Sequence, residues 1–233
     1  MRLVLALEAS SRTYTVAVGY GEHPSVQRAS SRDDPAFAGL GELVAQGLSV
    51  AGATFSDVEA IGVDVGPGGL LSIRAAVAYA NGLAFSLGVK VFPITSLELM
   101  AIAADHAHHG PLLCLKRGAG GNAYAGLFVN GEVAEMRHGP ADSVVPELAA
   151  DLEAVRVAGM SAGDVADLLP GVTVADTGIA EADVTNLYQE TRAAVANPGR
   201  FVPIATAVNE GSLIFHEPTV GRHPVGNETC EER

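Results

Sequence analysis

Lysine is nearly missing from this 233-residue chain: only Lys90 and Lys116 occur, and the arginines are scattered without a run. Set against 27 Asp and Glu, the 14 basic residues leave a formal net charge of −13. Gripping a nucleic-acid backbone requires clustered cations that neutralise successive phosphates, so this chain is not built to hold RNA by itself. Cysteine is equally scarce. Cys114 in an apolar run and Cys230 near the end form neither a disulfide framework nor a zinc signature. The opening MRLVLALEAS carries one arginine and a short apolar run, without a cleavage region or an 18-residue apolar span. That pattern reads as a cytoplasmic protein with no membrane attachment. Internal sequence repeats and low-complexity tracts are absent too.

Apolar residues, in contrast, make up 48% of the chain, enough for a sizeable core, and the length suits one large domain or two small lobes. Residues 3–7, the alternating 14–20 and 25–30 read as three strands. Asp33, Asp34 and Pro35 signal the start of a helix over 36–51. A buried strand over 58–66 leads into GPGGLLSIR and a helix over 70–87 that Gly88 ends. Thr95 and Ser96, with Glu98 in the first turn, offer the N-cap of a further helix. The second half restarts with strands at 111–116 and 122–137, the latter a hairpin about Asn130-Gly131. Weaker mixed signals run to about 208. Three strands, helix, strand, helix, helix is the order of a ribonuclease-H-like lobe. A second lobe, cut short at its end, follows. The expected division is 1–108, 109–217 and a polar tail over 218–233.

Two helices lack a clear solvent face. The one over 70–87 has Ser72, Arg74, Asn81 and Ser86 as its clearly polar side chains, and the one over 36–51 little beyond Glu42, Gln46 and Ser49. A surface helix is polar over its outward face, and large exposed apolar patches mark contacts. Leu40, Val44, Leu48, Arg74, Ala78, Tyr79 and Phe85 are therefore the candidate interface residues. Arg74 in a first helical turn is unfavourable to the helix dipole, which predicts that an acid or a partner holds it.

The run Gly66, Pro67, Gly68, Gly69 poses a choice between phosphate cradle and tight turn. A helix N-terminus attracts anions, and Ser10 and Ser11 in the first hairpin could line a nucleotide or anion loop with these glycines. The Lys-Ser/Thr pair of a phosphate loop is absent, however, and G-x-G-x-x-G fails because position 71 is Leu. A structural turn that positions the following helix is the favoured reading. A hairpin turn rich in Ser10, Ser11 and Thr13 needs no ligand. Asp64 before the loop reads as an exposed strand tip in preference to a buried acid. His106, His108 and His109 read as a solvated helix end, favourable to the dipole, and no metal is expected.

The segment GVDVGPGGLLSIRAAVAYANGLAFSLG resembles the hallmark of the TsaB (YeaZ) family, with Gly66, Pro67, Gly68 and Arg74 matching and Asn81-Gly82-Leu83-Ala84 falling where the family has K/Q-G-L-A. LALEASSRTYTVAVG resembles that family's opening, and HEPTVGR keeps Glu217, Pro218 and Arg222 of an E-P-x-Y-x-R pattern. The resemblance implies an α/β, two-lobed actin/hexokinase/Hsp70-like (ribonuclease-H-like) fold of mixed sheets flanked by helices. It also implies a non-catalytic subunit of the threonylcarbamoyladenosine machinery, a homodimer or a heterodimer with a catalytic TsaD-like subunit, with a TsaE-like ATPase recruited. Transfer RNA would be met only indirectly, and ATP or ADP only at an interface of the complex. The chain departs from the family at Glu8, where the family has Asp, at Gly69-Leu70-Leu71-Ser72, and over 117–124. An actin-like kinase or carbamoyl/acyl transferase, or a paralogue with a role outside transfer RNA, is the alternative.

Overall fold

The computed structural model describes residues 3–31, 33–104 and 110–208. Its first sheet is centred on β1 (Leu3–Glu8), every residue of which is buried. β2 (Thr13–Gly19) and β3 (Val26–Ser31) fold back antiparallel, and β4 (Val58–Asp64) and β5 (Val91–Ile94) add in parallel on the other side, giving the order β3-β2-β1-β4-β5. The sequence reading missed β5. It is only four residues long and contains Pro93, which a sheet edge tolerates because no ladder N–H is required on the open side.

Between these strands lie α1 (Leu40–Val50), α2 (Leu70–Leu87) and α3 (Ser96–Ala104). α1 starts four residues later than expected. The Asp34 carboxylate accepts from the Ala36 N–H in a local turn (2.8 Å), Phe37 stacks on Tyr14, and Gly39 at φ 107° turns the chain into the helix. α1 also has a solvent face after all: Glu42, Gln46, Ser49 and Val50 point outward, and Gln46 bonds Glu42 one turn away.

The second sheet is built from β6 (Pro111–Arg117), β7 (Asn122–Val129), β8 (Glu132–Pro140), β9 (Ala154–Ala158) and β10 (Thr173–Asp176) in the order β10-β9-β6-β7-β8. Taken from the other edge this is the order of the first sheet, so the lobe is duplicated in topology with no repeat in sequence. The β7–β8 turn places Asn130 and Gly131 both at positive φ, as an Asn-Gly hairpin requires. The lobe is not cut short in its sheet. Its two own helices are merely small, α4 (Ala141–Leu148) and α5 (Ala162–Leu168).

The last helix, α6 (Val184–Ala194), crosses back onto the first sheet. Leu187 and Tyr188 bury against Val4, Ala6 and Ala17. The Thr191 hydroxyl fills the space where a Cβ at Gly62 would stand. Val202 then pairs with Val91, the Asn81 amide clamps the Ala205 backbone through two 2.9 Å bonds, and the Val208 N–H reaches the Val65 carbonyl. Residues 184–208 thus complete the first lobe, which corrects the expected boundary at 109–217. The physical reason is that the first sheet is apolar on both faces. α1 and α2 cover only one of them.

Candidate functional site

Two features stand out: a buried polar cluster where the lobes meet, and the outer face of α2. The cluster begins from strand register. β1 and β4 are parallel neighbours with Leu7 opposite Val63, so Glu8 and Asp64 end adjacent strands side by side, both buried. The expected exposed tip at Asp64 is therefore overturned. Its carboxylate accepts from the Ser96 hydroxyl (2.8 Å) and from the Gly66 N–H (2.7 Å). Burial, and next the charge of Glu8, push the Asp64 carboxyl up to about 7. Glu8 accepts from the Ser10 N–H and hydroxyl, both at 2.6 Å, and from the Thr15 hydroxyl at 3.1 Å. From the second sheet Lys116 donates to Ser10 Oγ (2.8 Å) and pairs with Glu181 (3.0 Å).

The glycine loop closes over this cluster. Gly69 N–H donates to the Ser10 carbonyl, and Ser96 N–H to the Gly66 carbonyl. A Cβ on Gly68 would stand 2.2 Å from the Ser10 carbonyl oxygen. The room that a glycine provides at position 68 is thus filled by the first hairpin. The Gly66 and Gly69 N–H groups are already committed to Asp64 and Ser10, which leaves those two no capacity for a phosphate. Ser11 uses its hydroxyl within the turn, bonding the Thr13 backbone. Among the described residues no group of three or more His, Cys, Asp or Glu side chains gathers that could hold a metal ion. His106, His108 and His109, and the HEPTVGR segment, lie outside the described residues.

Sequence reasoning missed Ser96 and Lys116 as members of this cluster. Thr95 and Ser96 shared an N-cap reading, and of the two Thr95 is the cap, exchanging bonds with Glu98 in a capping box. Lys116 gave one faint signal, a lysine closing the apolar strand PLLCLK.

α2 buries one stripe, Ile73, Ala76, Val77, Ala80 and Ala84, against the first sheet. Turned outward are Leu70, Leu71, Ala75, Ala78, Gly82 and Phe85, with Leu71 78% and Phe85 91% exposed. Positions 71, 75, 78, 82 and 85 follow helical spacing and form one continuous face. At its far end an open groove of ≈ 520 Å³ runs between Phe85, Lys90 and Ile204. Arg74 is exposed on the same side and makes no hydrogen bond or ion pair among the described residues. Of the acid or partner expected to hold it, no acid does so among the described residues. Tyr79 is half-buried and lies over Gly41 of α1, so the two helices touch. The expected interface set shrinks accordingly. Val44 and Leu48 are core residues at 0% and 1% exposure, and Leu40 packs against that core. α2 is long and apolar enough by composition to cross a membrane, with a mean hydropathy of 1.4. Its inner stripe nevertheless belongs to the first core.

The model of the TsaD family, tRNA N6-adenosine threonylcarbamoyltransferase, matches residues 36–157, more than half of the chain. The chain belongs to this family. It is TsaB-like within it. The tRNA threonylcarbamoyladenosine biosynthesis protein TsaB of Haemophilus influenzae is 30% identical over 106 residues, 45% of this chain and 44% of that protein. A tRNA N6-adenosine threonylcarbamoyltransferase of Clostridium perfringens is 35% identical over 79 residues, 33% of this chain. The chain covers only 23% of that transferase's length. Among solved structures, a Pseudomonas aeruginosa protein described as similar to the peptidase YeaZ superposes with a TM-score of 0.71 at 24% identity, over 90% of this chain and 99% of that one. YeaZ from Pseudomonas aeruginosa gives 0.70 at 22%, over 87% and 95%. Both likenesses span nearly the whole chain and show that the fold of two mixed sheets flanked by helices is the one these proteins have.

Proposed function

We propose that this chain is a non-catalytic, TsaB-like partner subunit in tRNA threonylcarbamoyladenosine biosynthesis, docking a TsaD-like catalytic subunit through the outer face of α2. The observation that carries this reading is the uncovered apolar face from Leu71 to Phe85. Apolar area left in water costs about 25 cal/mol per Å², and a stable contact of ordinary size buries roughly 800 Å² per partner. Small side chains at Ala75, Ala78 and Gly82 let a partner helix approach closely between the larger Leu71 and Phe85. Without its partner the chain pairs with a second copy through the same face. Nucleotide and a TsaE-like ATPase belong, on this reading, to interfaces of the assembled complex. The loop N–H groups committed to Asp64 and Ser10 speak against a phosphate-transferring enzyme.

Ala78→Glu places a charge on the exposed face without touching the core. Light scattering at tens of micromolar should show a dimer for the wild type and a monomer for the variant, with circular dichroism unchanged. The same variant should lose binding to the TsaD-like subunit of its own cell by at least tenfold. A monomeric wild type that also fails to bind that subunit would sink the proposal.

A further inference from the structure

We propose that Lys116 is a positioning residue for the docking helix: the second lobe holds the first turn of α2 in place through the path Lys116, Ser10, Gly69. This inference rests on the reading of α2 as the docking element and assigns the control of that element to the contact between the lobes.

The path is continuous in hydrogen bonds. Lys116 ends the buried part of β6, and its side chain is 9% exposed. An ammonium has donors only, so its bond to Ser10 Oγ orients the serine hydroxyl, which then donates to Glu8 Oε1 at 2.6 Å. The Ser10 N–H points to the same carboxylate oxygen, leaving the residue little rotational freedom. Its carbonyl faces the other way and accepts from the N–H of Gly69 at 3.1 Å. Gly69 is the N-cap of α2, and its own carbonyl accepts from Ile73 N–H at 3.0 Å, closing the first turn. That turn carries Leu70 and Leu71, the exposed leucines at the leading edge of the docking face.

Among the described residues no N-cap side chain supports this helix end. Gly69 has no side chain, no side-chain cap bond is made, and the first turn holds no acidic residue. A helix start without a cap side chain frays unless its neighbours fix it. Here the neighbour is the Ser10 backbone, pressed against Gly68 without room for a Cβ. Lys116 is the charge from the opposite lobe that holds this hairpin down. Its charge also reaches the buried carboxylates, since Asp64 feels both Glu8 and Lys116. Removing the ammonium leaves the carboxylates without that counter-charge and the Ser10 oxygen without its donor. Both changes loosen the hairpin and, with it, the start of α2.

Amide hydrogen exchange reads such a link directly, because local opening is measured segment by segment. In the whole chain, Lys116→Met should speed exchange over 69–74 at least tenfold. The C-terminal half of α2 and α5 should stay within twofold of the wild type. Lys116→Arg, which restores the charge, should recover most of the protection. The TsaD-like subunit should dissociate several-fold faster from Lys116→Met than from the wild type. Unchanged exchange over 69–74 in a folded Lys116→Met, or acceleration spread evenly over the first lobe including α6, overturns the proposal. If Lys116→Met does not fold, Ser10→Ala decides. It removes the hydroxyl that carries the link and keeps the carbonyl, so the same localised acceleration is expected, and its absence refutes the link. A localised change in a protein that binds no TsaD-like subunit leaves the link standing and removes the docking function.

Discussion

Asp64 shows how far a single residue can differ from its sequence context. Val-Asp-Val at a strand end looks like a solvated tip, yet the side chain is completely buried between Glu8, Ser96 and the glycine loop. Its carboxyl titrates near 7 in the fold, against 3.8 for the free group, chiefly because burial disfavours the charged form. The folded protein therefore holds this proton more tightly than the unfolded chain does. The resulting stability is full below about pH 4 and is lost as pH rises through about 7. Asp64→Asn keeps an acceptor for the Gly66 N–H and the Ser96 hydroxyl but removes the charge. Its stability advantage over the wild type should widen between pH 4 and 7 and then level off, reaching on the order of a few kcal/mol. Urea denaturation at pH 4.5 and pH 8 checks this, and an equal difference at both pH values contradicts it.

Among the elements, the glycine loop invites the most direct test. Gly68→Ala drives a methyl into the Ser10 backbone, which cannot rotate away, and should cost about 1–3 kcal/mol or more. Gly82→Ala, in open space in the middle of α2, should instead stabilise the monomer by about 0.5–1 kcal/mol through helix propensity. Equal melting temperatures for the two variants would remove the loop's packing role. Much at this scale was legible in sequence. The 70–87 helix with its C-terminal Gly88, the buried strand before it and the Asn130-Gly131 hairpin all follow from periodicity and turn chemistry. β5 escaped because a four-residue edge strand with a proline carries no usable period. The start of α1 was misplaced because Asp34 caps a local turn and not the helix. α1 looked two-sided only because its two glycines and one alanine blur the stripe. The cluster around Glu8 and Asp64 was the least legible part, since Lys116 and Ser10 are 106 residues apart and no local pattern announces a pair of that kind.

For the whole molecule, two lobes of identical strand order are joined by α3, whose Leu97 and Met100 pack on the second sheet while Leu99 packs with α6 over the first. Residues 184–208 return to finish the lobe in which the chain began, so the first lobe cannot be complete until the second has been traversed. The outer face of α2 belongs to a molecule whose formal net charge is −13 and whose isoelectric point is ≈ 4.8, and that combination has a consequence for its behaviour in solution. Two copies brought together through apolar side chains must also overcome their mutual repulsion, which dissolved ions screen over about 10 Å at 0.1 M. Self-association should accordingly tighten when sodium chloride is raised from 20 to 500 mM, the reverse of a contact held by ion pairs. Sedimentation velocity across that series should show the dimer fraction growing, and a dimer that dissociates with salt would place the attraction in charges instead of in α2. The buffer, as much as the protein concentration, then sets which species a preparation contains.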